Sequence, residues 1–388
     1  YESSGGIGGG SADGDDGVVS RPSNNNSNSS DNNSSSNNNS SSQVTPDVPT
    51  PAPEPAPQPD PEPTVTPEPA PEPTPAPTEP EPDPEPTPDP EPTPNPDTPD
   101  GLPWIKRDGV TNPDYAKYDF FPLVRMCYNT GILTAAARLS GKTVYAEKAG
   151  KFLKCWFLQP ETAMTPHLNF AQFVPGRPEG SSWGLIDSNM FCELLEAAAA
   201  LPFSSEWTPA DREALKHWFT DYFFWYISNP LPIKEEKVFS NHATWYDAQF
   251  VAIAMFLEQP DLARRHLREK TIPRLSIQFL YNGLQPFEIT RTLSLSYSVF
   301  NLEGWSKLAA YARKLDMELW QLPNEEQATL QQAFHLLLPY LTGKAKWEFL
   351  QIKPVPLSPP RLFSMVNDFL EPVAGPFREL LACVAPAN

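Results

Sequence analysis

Three polar segments of the chain concentrate side chains that could transfer protons or bind an anion. They cover residues 165–187, 240–247 and 285–297. Histidine and tyrosine in such segments are proton-transfer groups, while asparagine and arginine donate hydrogen bonds to developing negative charge. A second chemistry is open as well, because a pair of carboxylates can hydrolyse a glycosidic bond. The carboxylates in or near these segments are Asp187, Asp247, Glu288 and Glu303.

The residues around these segments have helical periodicity. In the stretch 302–315, for example, apolar residues recur at steps of three and four and so share one face. No convincing set of alternating strands is present, so the fold is predicted to be all-α. Candidate helices cover about 117–139, 143–158, 187–201, 208–228, 241–258, 260–279, 295–316, 325–341, 359–370 and 376–384.

The connections between these helices alternate in length. Those after the second, fourth and sixth helices are long and polar, at 159–186, 229–240 and 280–294, whereas the others are short. Alternate connections of an up-and-down array lie at the same end, so the three long ones should meet on one face. Repeated helix hairpins of this kind commonly close into a toroid. We therefore expect a toroid with a mouth across which a long polymer can lie.

The first hundred of the 388 residues differ from the rest. They hold 19 Asp and Glu against one basic residue, Arg21, and so carry −18 of the net charge of −19. They also hold 26 of the 49 prolines and few large apolar side chains, which predicts a disordered linker at 1–100 ahead of one folded domain at 101–388. Neither part has the excess of Lys and Arg that a general nucleic-acid binder needs.

The remaining composition excludes further classes of protein. The sequence has no run of 18 or more apolar residues, so no membrane-spanning helix is predicted. Cysteines 127, 155, 192 and 383 are widely spaced, so we expect buried free thiols. No group of His, Cys and carboxylate residues has ligand spacing, and we expect neither a metal nor a cofactor. His217, His266 and His335 fall inside predicted helices and are interpreted as structural.

The linker and the start of the chain favour a location outside the cytoplasm. Alternating prolines between residues 45 and 100 hold an extended polyproline conformation of roughly 3 Å per residue. Such a tether suits an enzyme that reaches a surface-bound or insoluble polymer. The chain begins at Tyr1 without methionine, which we interpret as a processed form that is secreted, periplasmic or attached to the cell surface.

The ordered motifs of the three segments resemble those of the alginate lyase family of polysaccharide lyases. The strongest matches are the Asn-His pair at 241–242 followed by Trp245 and Tyr246, the string Gln-Pro-x-Glu-x-x-Arg-Thr at 285–292, and Ser-x-Ser-Tyr at 294–297. The loop at 168–176 is similar to the sugar-binding loop of the family. The resemblance covers about residues 115 to 352 and implies an incomplete (α/α) toroid that cleaves uronic-acid polymers by β-elimination.

The resemblance also implies roles for individual residues. Asn241 and Arg291 would neutralise the carboxyl group of the sugar, and Tyr297 would protonate the leaving oxygen. The base is left open between His242 and Tyr297, because the family uses tyrosine for mannuronate and can use histidine for guluronate. The implied substrate-binding residues are Asn169, Gln172, Arg177, Trp183, Trp245, Tyr246, Gln285 and Glu288.

Two departures indicate a branch other than the best-studied one. Ser240 stands where that branch has a second asparagine, and the spacing from Arg291 to Tyr297 is one residue shorter. The substrate is therefore alginate or another uronan, such as glucuronan. Two other functions compete: a glycoside hydrolase built on the same toroid, and a carbohydrate-binding module without catalytic activity.

Deletion of residues 1–100 is expected to leave the domain intact, because the segment has almost no apolar surface with which to pack. A chain starting at Gly101 should keep both its melting temperature and its turnover on soluble polymer. A marked loss of either would show that the segment packs on the domain and is not a linker.

Overall fold

The computed structural model describes residues 108–110, 117–172, 180–355, 361–362 and 369. The predicted linker at 1–100 and the predicted helix at 376–384 lie outside the described residues, as do Arg177 and Cys383. Only parts of the helix predicted at 359–370 are described.

Regular structure in the described ranges is helical, as predicted, apart from isolated β-bridges. The bridges pair Ser204 with Trp207 and Leu293 with Gln351. The α-helices are α1 (Phe120–Ser140), α2 (Thr143–Leu153), α3 (Phe191–Ala200), α4 (Pro209–Ser228), α5 (Pro230–Glu236), α6 (Asn241–Phe256), α7 (Pro260–His266), α8 (Ile272–Gln278), α9 (Pro286–Ile289), α10 (Ser294–Lys314) and α11 (Leu330–Leu341). A 3-10 helix covers Ser182–Ser188. Short π-helical segments follow α2, at Lys154–Leu158, and α7, at Leu267–Thr271.

Local sequence signals explain where several helices begin. Thr208 caps α4 in a reciprocal capping box with Asp211, and proline occupies the first position of the helix. Asn229 caps α5 through its side chain, again with a proline in the first turn. The prediction was wrong for α5 and α9, which both lie in segments interpreted as loops. Their prolines sit in the first turn, where no intrahelical N–H bond is lost, so proline starts these helices.

Helices α1, α3, α6 and α10 form a row in which each contacts the next. The second helix of each hairpin packs beside this row, as α2 does on α1, α7 on α6 and α11 on α10. Nearly every side chain of α6 and α10 is buried, so these two helices have no solvent face. This arrangement is that of an (α/α) toroid, with α6 and α10 as its most enclosed walls.

A buried polar network fixes α6 against α8 and α10. The side-chain oxygen of Gln278 accepts hydrogen bonds from Thr244 at 2.9 Å, Asn301 at 3.1 Å and the Trp305 indole at 2.7 Å. Its amide nitrogen donates to the backbone carbonyl of Ser240, the residue before α6, at 3.1 Å. One side chain of α8 therefore sets the position of the start of α6.

The three long connections meet, as the alternation of loop lengths predicted. The 3-10 helix of the first connection contacts α5 of the second and the body of α6. Phe239 of the second connection lies 5.4 Å, ring centroid to ring centroid, from Phe287 of the third. Polar residues from distant parts of the sequence therefore share one face.

Other buried polar and sulfur groups have structural roles. Asp247 is fully buried and binds both His266 and Arg274 at 2.8 Å, which supports the structural interpretation of His266. Cys127 and Cys192 are buried free thiols, and burial raises the pKa of each. The prediction was wrong for Cys155, which is exposed: in the π-helical segment after α2, Phe157 is the residue that is buried. Among the described residues, no helix is long and apolar enough to span a membrane.

The Gln278 network yields a stability prediction. Replacing Gln278 by Leu should reduce the free energy of unfolding by about 2 to 4 kcal/mol, because buried donors lose their acceptor. Gln159→Leu, at an exposed position, is the matched control and should change it by less than about 0.5 kcal/mol. Denaturant unfolding of both variants measures the difference. Equal stabilities would show that the network does not hold α6.

Candidate active site

Asn241, the first residue of α6, is held by a carboxylate from α9. Its backbone N–H donates to Glu288 Oε1 at 2.6 Å and its side-chain nitrogen donates to Glu288 Oε2 at 2.9 Å. Both residues are buried, and burial raises the pKa of Glu288 against the lowering effects of Arg291 and Asn241. The Asn241 Oδ1 atom is buried without a hydrogen-bond partner in the described structure. The amide nitrogen has a second hydrogen, which makes no hydrogen bond among the described residues.

His242 is held by a second carboxylate, from α5. Its Nδ1 atom is in hydrogen-bond contact with Oε1 of Glu235, and both side chains are buried. Because a carboxylate accepts the hydrogen bond, Nδ1 carries the proton and a neutral ring has its lone pair on Nε2. Within the described part of the chain, Nε2 is buried and has no hydrogen-bond partner. The ring is thus oriented to accept a proton at Nε2.

Arg291 and Tyr297 lie against each other and share a third carboxylate, Asp108. The guanidinium carbon of Arg291 is 4.1 Å from the centre of the Tyr297 ring. Its Nε and Nη2 atoms donate to Asp108 Oδ1 at 3.1 and 2.6 Å, and the Tyr297 hydroxyl donates to the same oxygen at 3.4 Å. Asp108 also accepts from the backbone N–H and hydroxyl of Thr292, at 2.8 and 2.9 Å.

The electrostatics of this group keep Tyr297 protonated. Burial raises its pKa to about 12, Arg291 lowers it, and the negative charges of Asp108 and Glu288 add to the increase. Asp108 remains ionised, since hydrogen bonds from Arg291 and Thr292 outweigh burial and lower its pKa. A phenol with a raised pKa keeps its proton at neutral pH, so it has a proton to donate and cannot act as a base until it is ionised.

These groups belong to one cluster at the starts of α6 and α10. Arg291 follows Glu288 by one helical turn, and its backbone N–H donates to the Glu288 carbonyl at 3.1 Å. Glu288 therefore contacts the Asn-His segment through its side chain and the Arg-Tyr segment through its backbone. The cluster combines an imidazole able to accept a proton, a phenol able to donate one, and amide and guanidinium donors for an anion.

The first connection contributes polar side chains that already have partners. Asn169 Oδ1 accepts from the Trp225 indole at 2.7 Å, and Gln172 donates to Asp187 at 2.7 Å. Gln172 has a positive φ of 47°, so the loop turns sharply there. Trp183 is half-buried in the 3-10 helix that packs on α5 and α6.

Three predicted substrate-binding residues are instead part of the core. Trp245 is fully buried, with its indole N–H donating to the Phe300 carbonyl at 3.1 Å, so it offers no face to a sugar. Tyr246 is 4% exposed and stacks on Tyr226 at 4.6 Å between ring centroids. Gln285 is 2% exposed and is bonded to Ser298 and Asn301. Trp245 and Tyr246 follow the Asn-His pair and Gln285 begins the next motif, but all three side chains pack inside the domain.

Sequence reasoning missed the carboxylates that hold the site. Glu235 lies in a segment interpreted as loop, although its spacing of seven residues before His242 was visible. Asp108 lies 183 residues before Arg291, and no sequence signal links the two. Glu288 was predicted to bind substrate, yet both of its oxygens bind Asn241. The exposed aromatic pair beside the site, Phe239 and Phe287, was also missed.

The carboxylates that a glycoside hydrolase would need are engaged elsewhere. Asp247 is neutralised by Arg274 and His266, and Glu288 holds Asn241. Glu303 is buried 3.5 Å from Arg361, and burial raises its pKa to about 7. The described residues contain no group of three His, Cys, Asp or Glu side chains placed to hold a metal ion.

Comparison with known proteins identifies relatives of the chain. The family model described as alginate lyase matches residues 71–347, which is more than half of the chain. A solved structure, an alginate lyase from Bacteroides ovatus at 1.60 Å resolution, is 32% identical, with a TM-score of 0.70. The match covers 76% of this chain and 79% of that one. A search of curated proteins gives no match.

The sequence match covers α1 to α11, and the structural match supports the same helical fold. The Asn-His and Arg-Tyr motifs that suggested the family meet in one cluster at the starts of α6 and α10. The chain is a polysaccharide lyase and belongs to the alginate lyase family.

Proposed function

We propose that the enzyme cleaves uronic-acid polymers, with alginate as the best-supported substrate, by β-elimination that leaves a 4,5-unsaturated uronate end. Family membership supports the reaction class. The observation that carries the proposal is the state of His242, whose Nδ1 is bound by Glu235 while its buried Nε2 has no partner among the described residues. An imidazole held in this way is prepared to remove a proton.

The reaction removes the proton at carbon 5 of the sugar, next to the carboxyl group. His242 Nε2 takes this proton, and the electron pair of the C–H bond forms the double bond between carbons 4 and 5. The bond from carbon 4 to the glycosidic oxygen breaks, and Tyr297 donates its hydroxyl proton to that leaving oxygen. Each group then exchanges its proton with water before the next cycle.

Negative charge builds on the carboxyl group of the sugar as carbon 5 loses its proton, so hydrogen-bond donors there lower the barrier. Asn241 supplies the second N–H of its amide, which Glu288 orients by accepting the first. Arg291 contributes its positive charge, although its Nε and Nη2 edge binds Asp108. We therefore assign Asn241 as the direct donor and Arg291 as the source of the surrounding positive field.

Separate base and acid residues favour one epimer. Mannuronate and guluronate differ at carbon 5, so their protons at that carbon lie on opposite faces of the ring. A site with His242 as base and Tyr297 as acid suits guluronate, for which the family can use histidine. Use of Tyr297 as both base and acid, as for mannuronate, is opposed by its pKa of about 12. Glucuronan is the alternative polymer, since Ser240 departs from the best-studied branch.

Three further assignments accompany the reaction. Asn169, Gln172 and Trp183 are proposed as contacts to sugar units beyond the cleaved bond, because their connection contacts α5 and α6. Arg177, which lies outside the described residues, is proposed for the same role from the sequence alone. The enzyme is proposed to act outside the cytoplasm, as a secreted, periplasmic or cell-surface protein, because a long polymer cannot reach an enzyme inside the cell. A metal or cofactor has no part in the proposed mechanism.

Variants of the two proton-transfer residues test this assignment. Tyr297→Phe removes one hydroxyl and should reduce kcat by about two to four orders of magnitude, the size of a general acid or base contribution. His242→Ala should cause a comparable loss on guluronate-rich chains. The measurement is the rate at which unsaturated ends form on guluronate-rich and mannuronate-rich polymers.

The matched controls are Tyr281→Phe and His335→Ala, at exposed positions, which should retain parental rates. Near-parental activity of Tyr297→Phe on every uronan that the parent cleaves would rule out Tyr297 as the acid. If His242→Ala retained parental rates on guluronate-rich chains, the base would have to be another group.

A further inference from the structure

Asp108 is the one charged group of the cluster that the proposed mechanism does not use. It reaches the site from a segment that precedes all of the helices. Four donors surround its carboxylate: the Nε and Nη2 of Arg291, and the backbone N–H and hydroxyl of Thr292. The Tyr297 hydroxyl is a fifth, more distant neighbour at 3.4 Å.

The residue after Asp108 shows that the segment is seated closely on the third connection. Gly109 is buried and has a positive φ of 71°. A β-carbon there would come within 2.7 Å of the Thr292 hydroxyl oxygen and 2.9 Å of the Leu293 side chain. Glycine is therefore required for this approach, both for its backbone conformation and for its lack of a side chain. Close packing of this segment on Thr292 and Leu293 therefore fixes Asp108 against Arg291.

We propose that Asp108 is a positioning residue that holds Arg291 over the Tyr297 ring and keeps the Tyr297 hydroxyl protonated, so that Tyr297 serves as the acid and proton removal is left to His242. The inference rests on the proposed function, since it refines how Tyr297 acts. It also explains how the chain separates two roles that one tyrosine would otherwise combine.

Charge balance around the phenol supports this role. The charged side chains that face Tyr297 are Arg291 and Glu288 from the third connection and Asp108 from the early segment. Arg291 alone would favour the phenolate, because a positive charge 4.1 Å from the ring stabilises the anion. Asp108 offsets that effect in two ways: its charge repels a phenolate, and its Oδ1 accepts the phenol hydrogen bond.

The replacement Asp108→Asn tests the proposal, because it removes the charge and nearly preserves the shape. Ionisation of Tyr297 is measured by ultraviolet pH titration as the difference between a protein and its Tyr297→Phe counterpart. In the parent background, Tyr297 should remain protonated up to about pH 11. In the Asp108→Asn background, its titration should move down by about one to two pH units, because Arg291 is then opposed by Glu288 alone.

Kinetics provide a second readout. The kcat of Asp108→Asn should show an alkaline limb that begins at lower pH than in the parent, because the acid is lost as Tyr297 ionises. Thr292→Val is the matched control. It removes one hydrogen bond to Asp108 without changing charge, so its alkaline limb and Tyr297 titration should match those of the parent.

Three results would overturn the proposal. They are an unchanged Tyr297 titration in Asp108→Asn, an equal shift in Thr292→Val, and an increase in kcat of Asp108→Asn at every pH, which would show that Asp108 blocks the site. If Asp108→Asn does not fold, ionisation of Tyr297 well below pH 11 in the parent also overturns it. The titration does not depend on activity, so it stays informative even if Tyr297→Phe proves active and the proposed function fails.

Discussion

Pairing of carboxylates with the polar side chains of the site is the interaction on which the rest of the structure depends. Glu288 binds Asn241, Glu235 binds His242, and Asp108 binds Arg291. Glu288 and Glu235 are buried and Asp108 is partly buried. A carboxylate removed from water is costly unless it is paired, so each acid restricts its partner to one position. The three acids come from three different segments. The site therefore forms only when α5, α9 and the segment before α1 are all docked at the starts of α6 and α10.

The toroid supplies the rigidity that this pairing needs. Helices α6 and α10 are enclosed on all sides and are joined through Gln278 and Asn301, so their first turns cannot move independently. Catalytic groups on the first turn of a rigid helix are held more precisely than groups on a loop. The long connections then add what the helices lack, which is the partner carboxylates and an open face for a polymer.

Much of this arrangement was predictable from the sequence. The predictions that were wrong, and the contacts that could not be predicted, have physical explanations. Helical periodicity located the long helices, and ordered motifs located His242 and Tyr297. The short helices α5 and α9 were missed because they lie within segments interpreted as long polar connections, although each has a proline in its first turn, where proline favours a helix start. Trp245 was predicted to bind substrate because it follows the Asn-His pair. Its indole is buried because it lies on the face of α6 that meets α10, which the motif does not reveal. Asp108 was not predictable, because its contact with Arg291 depends on tertiary structure alone.

Elimination and hydrolysis leave different chain ends, so the products decide between them. Unsaturated uronate ends, measured by ultraviolet absorbance, can be compared with new reducing ends on alginate, polyguluronate and glucuronan. We expect about one unsaturated end for each new reducing end on at least one of these polymers, with polyguluronate preferred. New reducing ends without unsaturated product would indicate a hydrolase, and binding without any new ends would indicate a carbohydrate-binding module. Either result would rule out cleavage by elimination.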